Sequence, residues 1–446
     1  IPLCDWSSDV CSSDLSTPVF THGGVRAALH VTPLQQLRRS VLSCLLWEGE
    51  FYEDGKTIAD RITELAAQVK PEELAALAIE ARHEQYLRHV PLLLTAELAK
   101  RGGPIVADTL EKVIHRADEL SEFMAVYWRN GKTPIAKQVK KGLARAFQKF
   151  TPYQLSKYDR ANDIRLRDVL FMVHAKPQND AQKDLWKQLV DGTLPTADTW
   201  ETNLSAGADK KETFERLIAE GNLGYMALLR NLRNMTEAGV DTAVIKQAIL
   251  ARRGAQMVLP FRYVAAARAA PSLATTVDEA LKEAISESAD FSGKTVILVD
   301  VSGSMDEKLS AKSDLTRMDA AATLASIITG DLRVFTFSSR LCEVPAYRGL
   351  AGVNTIVRSQ PHQSTEMAGA VTWINNNVQC DRLIVITDEQ ATGHFGSRVP
   401  DPVAPKSYMI NVASAKHGVG YGKWTHIDGF SEGVIKYIHA VEAEGL

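Results

Sequence analysis

The residues with the clearest chemical potential are an aspartate and two serines that follow an apolar run. In VILVDVSGSMDEK, Asp300 ends the run, and Ser302 and Ser304 come at alternate positions of the turn that follows. Their oxygen atoms can therefore converge on one point. Carboxylate and hydroxyl oxygens favour hard cations, so this turn predicts a site for Mg²⁺, with Ca²⁺ or Mn²⁺ less favoured.

Two further residues can complete this site. Asp388 ends a second apolar run, LIVITD, and Thr365 precedes a helical segment. Any one of these residues, taken alone, is explained as well by a helix cap or a turn. Because all five occur at suitable places in one domain, we expect them to hold a divalent cation together.

The elements that must position these residues are those of an α/β domain. Four β-rich runs, TVILVDVS, LRVFTFSS, DRLIVITDE and KSYMINVA, alternate with the helical segments LTRMDAAATLASIITG and TEMAGAVTWINNN. This alternation predicts a doubly wound, Rossmann-like fold with a largely parallel sheet. Such folds bind ligands at the carboxyl ends of their strands, which is where Asp300 and Asp388 are expected.

The preceding part of the chain has a different pattern. From about residue 32 to residue 291, amphipathic segments such as PEELAALAIEARHEQ and TAVIKQAILARRG follow one another, and Pro or Gly marks many of their ends. Short helices with tight connections stack as antiparallel pairs. Although the letters contain no strict repeat, we expect an N-terminal α-solenoid rather than an irregular bundle.

A basic segment interrupts a chain whose net charge is only −3. The segment from residue 129 to residue 176 contains twelve Lys or Arg residues and three acidic residues. Lys137, Lys141, Arg145 and Lys149 are spaced by four and so share one helix face. The opposite face is apolar and is formed by Ile135, Val139, Leu143 and Phe147. Such a basic face is often only a solvated surface.

The residues after this face strengthen the expectation of contacts with phosphates and bases, although a solvated surface stays an alternative. Four more cations continue the segment, and Tyr153, Tyr158 and His174 are interleaved with them. Cations that bind phosphates and rings that stack on bases are the components of nucleic-acid surfaces. The four cations are Lys157, Arg160, Arg165 and Arg167.

The motif D-x-S-x-S, followed by the Thr and the terminal Asp, resembles the metal-ion-dependent adhesion site of von Willebrand factor A domains. The resemblance covers about residues 292 to 446 and implies a metal with an open position for a carboxylate of a protein partner. One departure is present, because Gln363 and Ser364 stand where the family commonly has Gly-Gly before the Thr.

Three segments of the helical half resemble the TROVE module of Ro autoantigen proteins. These are LSKYDRANDIRLRDVLFMVHAKP, MALLRNLRNMTEAGV and LPFRYVAAARAA. A TROVE module followed by a von Willebrand A domain is the order found in bacterial Ro homologues. The resemblance implies a monomeric ring of HEAT-like helical pairs, bridged by the α/β domain. The domains are then 16–291 and 292–446.

The same resemblance implies an RNA partner and its contacts. Ro proteins bind small structured Y RNAs on an outer basic surface and take single-stranded 3′ ends of misfolded or unprocessed RNA into the ring. Lys157 matches an RNA-contacting lysine of the family, Arg160 lies within one position of the matching arginine, and His174 matches a histidine of the RNA surface. An exoribonuclease such as polynucleotide phosphorylase is the implied protein partner. The candidate RNA-binding residues are Lys137, Lys140, Lys141, Arg145, Lys157, Arg160, Arg165, Arg167, His174 and Arg230.

The first fifteen residues are excluded from these expectations. The stretch DWSSDVCSSDL is what a common sequencing-library adapter would encode, and we interpret residues 1–15 as an assembly artefact. Without Cys4 and Cys11, three cysteines remain, with neither CxxC spacing nor the density of a disulfide scaffold. A reducing, cytoplasmic compartment fits this usage.

Catalysis is not expected. The sequence has no HExxH helix and no GxSxG elbow, and NGKT and SGKT lack the preceding glycine of a phosphate-binding loop. Mg²⁺ could activate water for hydrolysis, but a single metal without a nearby general base makes this the weaker interpretation. The alternative that stays open is a cation-dependent protein-binding scaffold whose basic strip is only a solvated face.

Overall fold

The computed structural model describes most of the chain from residue 32 onward. The adapter-like stretch, Cys44 and Arg160 lie outside the described residues. The described ranges are 32–42, 55–84, 86–159, 163–286, 290–309, 315–392, 398–413, 418–420 and 422–429, with residues 434, 435, 438, 439 and 442.

The first part of the described chain is helical. Amphipathic sequence explains these helices, as in α3, where Pro71 opens the helix and Leu74, Leu77, Ala78 and Ala81 form its buried side. The helices are α1 Pro33–Leu42, α2 Gly55–Ala66, α3 Pro71–His83, α4 His89–Arg101, α5 Ile105–Val113, α6 Asp118–Tyr127, α7 Lys137–Phe147, α8 Pro152–Tyr158, α9 Leu166–Val173, α10 Asp180–Asp191, α11 Trp200–Ser205, α12 Lys210–Ala219, α13 Tyr225–Arg230, α14 Leu232–Glu237, α15 Thr242–Ala251, α16 Pro260–Ala269 and α17 Ala274–Ser286.

Alternate helices pack on one another, as in a solenoid. Helix α3 contacts α5, α5 contacts α7, and α7 contacts α9. The α5–α7 contact is close because Gly142 has no side chain, and a Cβ there would lie 2.8 Å from Leu110 Cβ. This packing directs Val139 and Leu143 into the core and leaves Lys137 and Lys141 exposed.

The second part of the chain is an α/β domain. Its sheet has the order β3-β2-β1-β4-β5-β6, and every neighbouring pair is parallel except β2 and β3. The strands are β1 Phe291–Asp300, β2 Gly330–Phe337, β3 Leu341–Val344, β4 Arg382–Thr387, β5 Lys406–Asn411 and β6 Thr425–Asp428, and the helices are α18 Arg317–Ile327, α19 Gly349–Val357 and α20 Met367–Asn377.

Alternation along β1 explains why both faces of the sheet are covered. Ile297 and Val299 belong to the core that contains α18 and α19, whereas Val296 and Leu298 belong to the core that contains α20. The core on the α18 side continues without a break into α12–α17 of the helical part. The division at residues 291 and 292 therefore stays a prediction.

The helical part contacts the α/β domain at both of its ends. Helices α16 and α17 pack against α18 and α19, while α1 contacts β6. The helical part thus meets the α/β domain near both of its ends, as the predicted ring requires. No helix within the described ranges is long and apolar enough to cross a membrane.

Candidate metal centre and basic surface

Asp300 occupies the carboxyl end of β1 and is fully buried. The Ser302 amide donates to Asp300 Oδ1 over 2.9 Å, and the Thr387 hydroxyl donates to Oδ2 over 2.6 Å. These bonds fix the orientation of the carboxylate. Thr387 ends β4, which pairs directly with β1, so the two strands present their ends side by side.

Ser302 and Ser304 continue from Asp300 as predicted. Their hydroxyl oxygens lie 3.2 Å apart, and Ser302 is fully buried. A short 3₁₀ helix, Gly303–Asp306, begins between them. Two hydroxyls and one carboxylate therefore lie together at this turn.

Asp388 follows β4 and carries the most informative atom of the centre. Its Oδ1 accepts from the Gln390 amide at 3.1 Å, but its Oδ2 is buried and has no hydrogen-bond partner in the described part of the chain. Burial, followed by the nearby charge of Asp388, raises the pKa of Asp300. A buried carboxylate oxygen without a donor, next to a second carboxylate, is an arrangement that a cation would stabilise.

Thr365 is held against the same centre by backbone bonds. Its amide donates to the Thr392 hydroxyl at 2.7 Å, and the Thr392 amide donates to its carbonyl at 2.9 Å. The Gly303 amide donates to the Gln363 carbonyl at 2.9 Å. The loops that carry Asp300, Thr365 and Asp388 are therefore tied to one another.

The departure from Gly-Gly before Thr365 is accommodated locally. Neither Gln363 nor Ser364 has a positive φ, so no glycine is required there. The Gln363 amide donates to Ser338 Oγ at 2.7 Å, and its side-chain oxygen accepts from Ser339 Oγ at 2.9 Å. Gln363 is thus held by the two serines that follow β2.

The donor set fits a hard divalent cation such as Mg²⁺. It consists of two carboxylates and three hydroxyls, which supply only oxygen. Within the described ranges, no cluster of three or more Asp, Glu, His or Cys side chains offers a different kind of metal site. The residues that would hold the ion are Asp300, Ser302, Ser304, Thr365 and Asp388.

Sequence reasoning missed a second charged cluster beside the centre. Glu389 adopts a left-handed backbone with φ of 58° and is fully buried. Its carboxylate accepts from the Gly420 amide at 2.6 Å and is paired with His426. Burial alone would lower the pKa of His426, but Asp428 and Glu389 outweigh it and raise this pKa to about 9. The sequence signal was the pair of adjacent acidic residues in ITDE. The sequence pattern assigns the first of them, Asp388, to the metal site and gives Glu389 no role.

The basic face of α7 is divided into a free part and a compensated part. Lys137, Lys140 and Lys141 form no ion pair with any described residue. Arg145, by contrast, pairs with Asp108 at 2.7 Å and with Glu111 at 3.4 Å. Lys149 lies after the end of α7, and its Nζ donates to the backbone carbonyl of Glu111, in α5, and to that of Ile114 at 2.7 Å. The uncompensated charge thus lies at the N-terminal end of α7.

The remaining candidate residues extend over α8 and α9. Lys157 Nζ lies 5.7 Å from the ring centroids of both Tyr153 and Tyr158. Arg165 is exposed at the start of α9, and His174 is exposed at its end with φ of 54°. Arg167 lies 4.0 Å from the carboxylate of Asp168. Arg230, at the end of α13, lies on a different part of the helical half.

Comparisons with known proteins agree with this architecture. The family model for the TROVE domain matches residues 190–257. The crystal structure of the RO (RSR) protein of Deinococcus radiodurans superimposes with a TM-score of 0.59 and 18% sequence identity, covering 93% of this chain and 100% of that chain. No curated protein matches the chain. The fold of helical repeats and an α/β domain predicted from the sequence is confirmed by this structural likeness, and residues 190–257 resemble the TROVE domain.

Proposed function

We propose that this protein is an RNA-binding ring that acts in RNA quality control or maturation in the cytoplasm. It binds a small structured RNA of the Y RNA type on the surface of α7–α9 and takes the single-stranded 3′ end of misfolded or unprocessed RNA. It works as a scaffold and not as an enzyme, and one copy forms the ring.

The observation that carries this proposal is the free cationic surface at the start of α7. Lys137 and Lys141 are exposed, and neither they nor Lys140 have acidic partners in the described part of the chain. Polyanions are the ligands for which such uncompensated cations are suited, because binding releases condensed counterions. The rings of Tyr153 and Tyr158 near Lys157 add surfaces on which bases can stack.

Recognition on this surface depends on shape rather than on base sequence. A duplex presents phosphates and 2′-hydroxyls to lysine and arginine, and a single strand adds stacking on tyrosine. The TROVE match and the fold shared with the Deinococcus RO protein support an RNA ligand over other polyanions.

The test reverses the free charges of α7. A Lys137→Glu/Lys140→Glu/Lys141→Glu variant should lose on the order of 100-fold in affinity for a structured RNA at low salt, because phosphate contacts dominate such affinities. Arg145 is left intact, since a glutamate there would face Asp108 and Glu111. The matched control reverses three exposed lysines elsewhere on the helical half, namely Lys183, Lys187 and Lys210.

Equal affinity of a folded triple variant and the control variant for RNA would contradict RNA binding by this surface. The protein would then fit better as a cation-dependent protein-binding scaffold. The observation that favours this second function is the unpartnered Oδ2 of Asp388, which suits a metal that accepts a carboxylate from a partner.

The two functions are compatible if the metal centre serves a partner protein while the helical half binds RNA. We propose an exoribonuclease, such as polynucleotide phosphorylase, as that partner. An Asp300→Ala/Ser302→Ala variant should lose Mg²⁺ uptake and partner capture but keep its RNA affinity. If that variant lost RNA affinity as well as Mg²⁺ uptake and partner capture, the separation of the two sites would be contradicted.

A further inference from the structure

Glu389 is the charged residue beside the metal centre that neither ligand binding nor the fold has so far explained. It directly follows Asp388, is fully buried and has a left-handed backbone with φ of 58°. A residue with a side chain adopts this conformation only where its surroundings hold it, and such residues are concentrated at ligand sites. The contacts of Glu389 show what holds the conformation and what depends on it.

Contacts with three parts of the chain hold Glu389 in place. Its amide donates to Thr387 Oγ1 at 2.9 Å. Its carboxylate accepts from the Gly420 amide at 2.6 Å and is paired with His426 of β6. Gly420 can approach this closely because it has no side chain, since a Cβ there would lie 2.8 Å from His426 Cδ2. The left-handed turn is therefore fixed from β4 on one side and from β6 on the other.

His426 is itself held between two acidic side chains. Its Nε2 faces Glu389, and its Nδ1 lies 3.4 Å from Asp428 Oδ2. Asp428 in turn accepts from Asn411 Nδ2 at 2.7 Å. The side chains of the three charged residues are between 0% and 7% exposed. Because a buried ion pair adds little net stability compared with apolar side chains of similar volume, a positional role explains this cluster better than stability alone.

The conformation of Glu389 decides how the Asp388 carboxylate is used. The Gln390 amide donates to Asp388 Oδ1 at 3.1 Å, and the Gln390 side chain donates to the Asp388 carbonyl at 3.2 Å. Because Glu389 lies between these two residues, its backbone angles place the Gln390 amide against Oδ1. Oδ2 is then the oxygen without a donor among the described residues, and so the one available to a cation.

The same turn also orients the second carboxylate of the centre. Thr387 Oγ1, which accepts from the Glu389 amide, donates to Asp300 Oδ2 at 2.6 Å. A hydroxyl carries a single proton, so an amide that donates to its oxygen leaves that proton for the carboxylate. Asp388 thus depends on residue 389 through the chain, and Asp300 depends on it through one hydroxyl.

We propose that Glu389 and His426 are positioning residues for the metal centre. Their pair joins the loop after β4 to β6 and holds residue 389 in the left-handed conformation that sets both carboxylates for a divalent cation. The inference rests on the proposed metal centre and adds to it two residues that do not bind the ion themselves. Loss of such supporting groups typically costs about 10–100-fold in metal affinity.

The test measures Mg²⁺ affinity by isothermal titration calorimetry on the whole chain. His426→Gln should bind Mg²⁺ about tenfold more weakly, because Glu389 loses its partner and leaves the left-handed conformation. Glu389→Gly and His426→Gln/Glu389→Gly should both bind within about threefold of the wild type, because glycine adopts a positive φ without a partner. This rescue distinguishes positioning from charge, since removal of the Glu389 carboxylate could only weaken cation binding if its charge attracted the ion.

The matched control is His439→Gln, which changes a partly buried histidine at the other end of the same domain. His439 stacks on Phe291, the first residue of β1, with ring centroids 4.1 Å apart. This variant should lose thermal stability and keep the Mg²⁺ affinity of the wild type. If His426→Gln does not fold, Glu389→Gly still decides, because a tenfold loss in that variant contradicts positioning and wild-type affinity supports it.

The results distinguish this inference from the metal centre itself. No Mg²⁺ binding by the wild type would overturn both. Three results with a wild type that binds Mg²⁺ would overturn only the positioning role: unchanged affinity in His426→Gln, a loss that glycine at position 389 does not relieve, or an equal loss in His439→Gln. Weaker binding in His426→Gln that glycine at position 389 restores would support it.

Discussion

Buried charge is compensated at one edge of the sheet in the α/β domain and uncompensated at the other. At the amino edge, the guanidinium group of Arg382 is fully buried and donates to Glu442, to Thr295 Oγ1 at 2.7 Å and to the Ser292 carbonyl at 3.1 Å. At the carboxyl edge, Asp300 and Asp388 are equally buried and carry like charges, and one oxygen of Asp388 has no donor among the described residues. Compensated charge holds the fold together, whereas uncompensated charge marks the place for a ligand.

The helical half shows the same contrast with cations. Arg82 is buried and pairs with Glu119 at 2.7 Å, so this charge is structural. Lys137 and Arg230 have no acidic partner in the described ranges, although one lies on an open surface and the other lines a cleft. The uncompensated charges of the two halves have opposite signs, which fits a polyanion in one half and a metal ion in the other.

The largest effect on stability should come from removing the buried guanidinium group at the amino edge of the sheet. Arg382→Met should lower the free energy of unfolding by about 3–5 kcal/mol, because it leaves the Glu442 carboxylate without its main partner. Urea denaturation measures the change. Arg333→Met is the control, since the exposed Arg333–Glu343 pair should contribute less than about 1 kcal/mol. Equal effects of the two substitutions would contradict the structural role of Arg382.

At the carboxyl edge, a substitution should raise the free energy of unfolding of the metal-free protein instead of lowering it. Asp388→Asn should stabilise the metal-free protein by on the order of 1 kcal/mol, because it removes the repulsion of Asp300. The same variant should lose the thermal stabilisation that Mg²⁺ gives the wild type. Melting curves in chelator and in Mg²⁺ separate the two effects, and Asp331→Asn, at the exposed start of β2, is the control. A destabilised variant that still responds to Mg²⁺ would contradict the metal centre.

The contribution of Glu442 to stability at the amino edge should show the smallest effect at ordinary pH, because it changes only when the pH is low. Burial alone would raise the pKa of Glu442, but hydrogen bonds from Arg382, Lys406 and Tyr408 outweigh it and lower this pKa from 4.5 to about 2. A lowered pKa means that the contribution to stability is fully present above about pH 4.5 and is lost as the pH falls toward 2. Stability curves of the wild type and Glu442→Gln should therefore converge in this window. A constant difference from pH 5 to pH 2 would show that the carboxylate does not act through its charge.

Sequence patterns predicted what depends on local spacing. The D-x-S-x-S turn after β1, the position of Asp388 directly after β4 and the buried and exposed faces of α7 all follow from the periods of strands and helices. Pairings between distant residues could not be predicted in this way. The Arg145–Asp108 pair joins α7 to α5, the Glu389–His426 pair joins residues 37 positions apart, and the cleft that Arg230 lines combines α13, α14 and α16.

The measurement that tests the central claim most directly is RNA affinity across a salt series. The ligands are a hairpin with a single-stranded 3′ tail and the same hairpin without it, each with and without a metal chelator. We predict tight binding that weakens with salt, prefers the tail and survives chelation, because the cations of the helical half act without the metal. Negligible binding of both RNAs at moderate salt would contradict it and would leave a metal-dependent protein-recognition module.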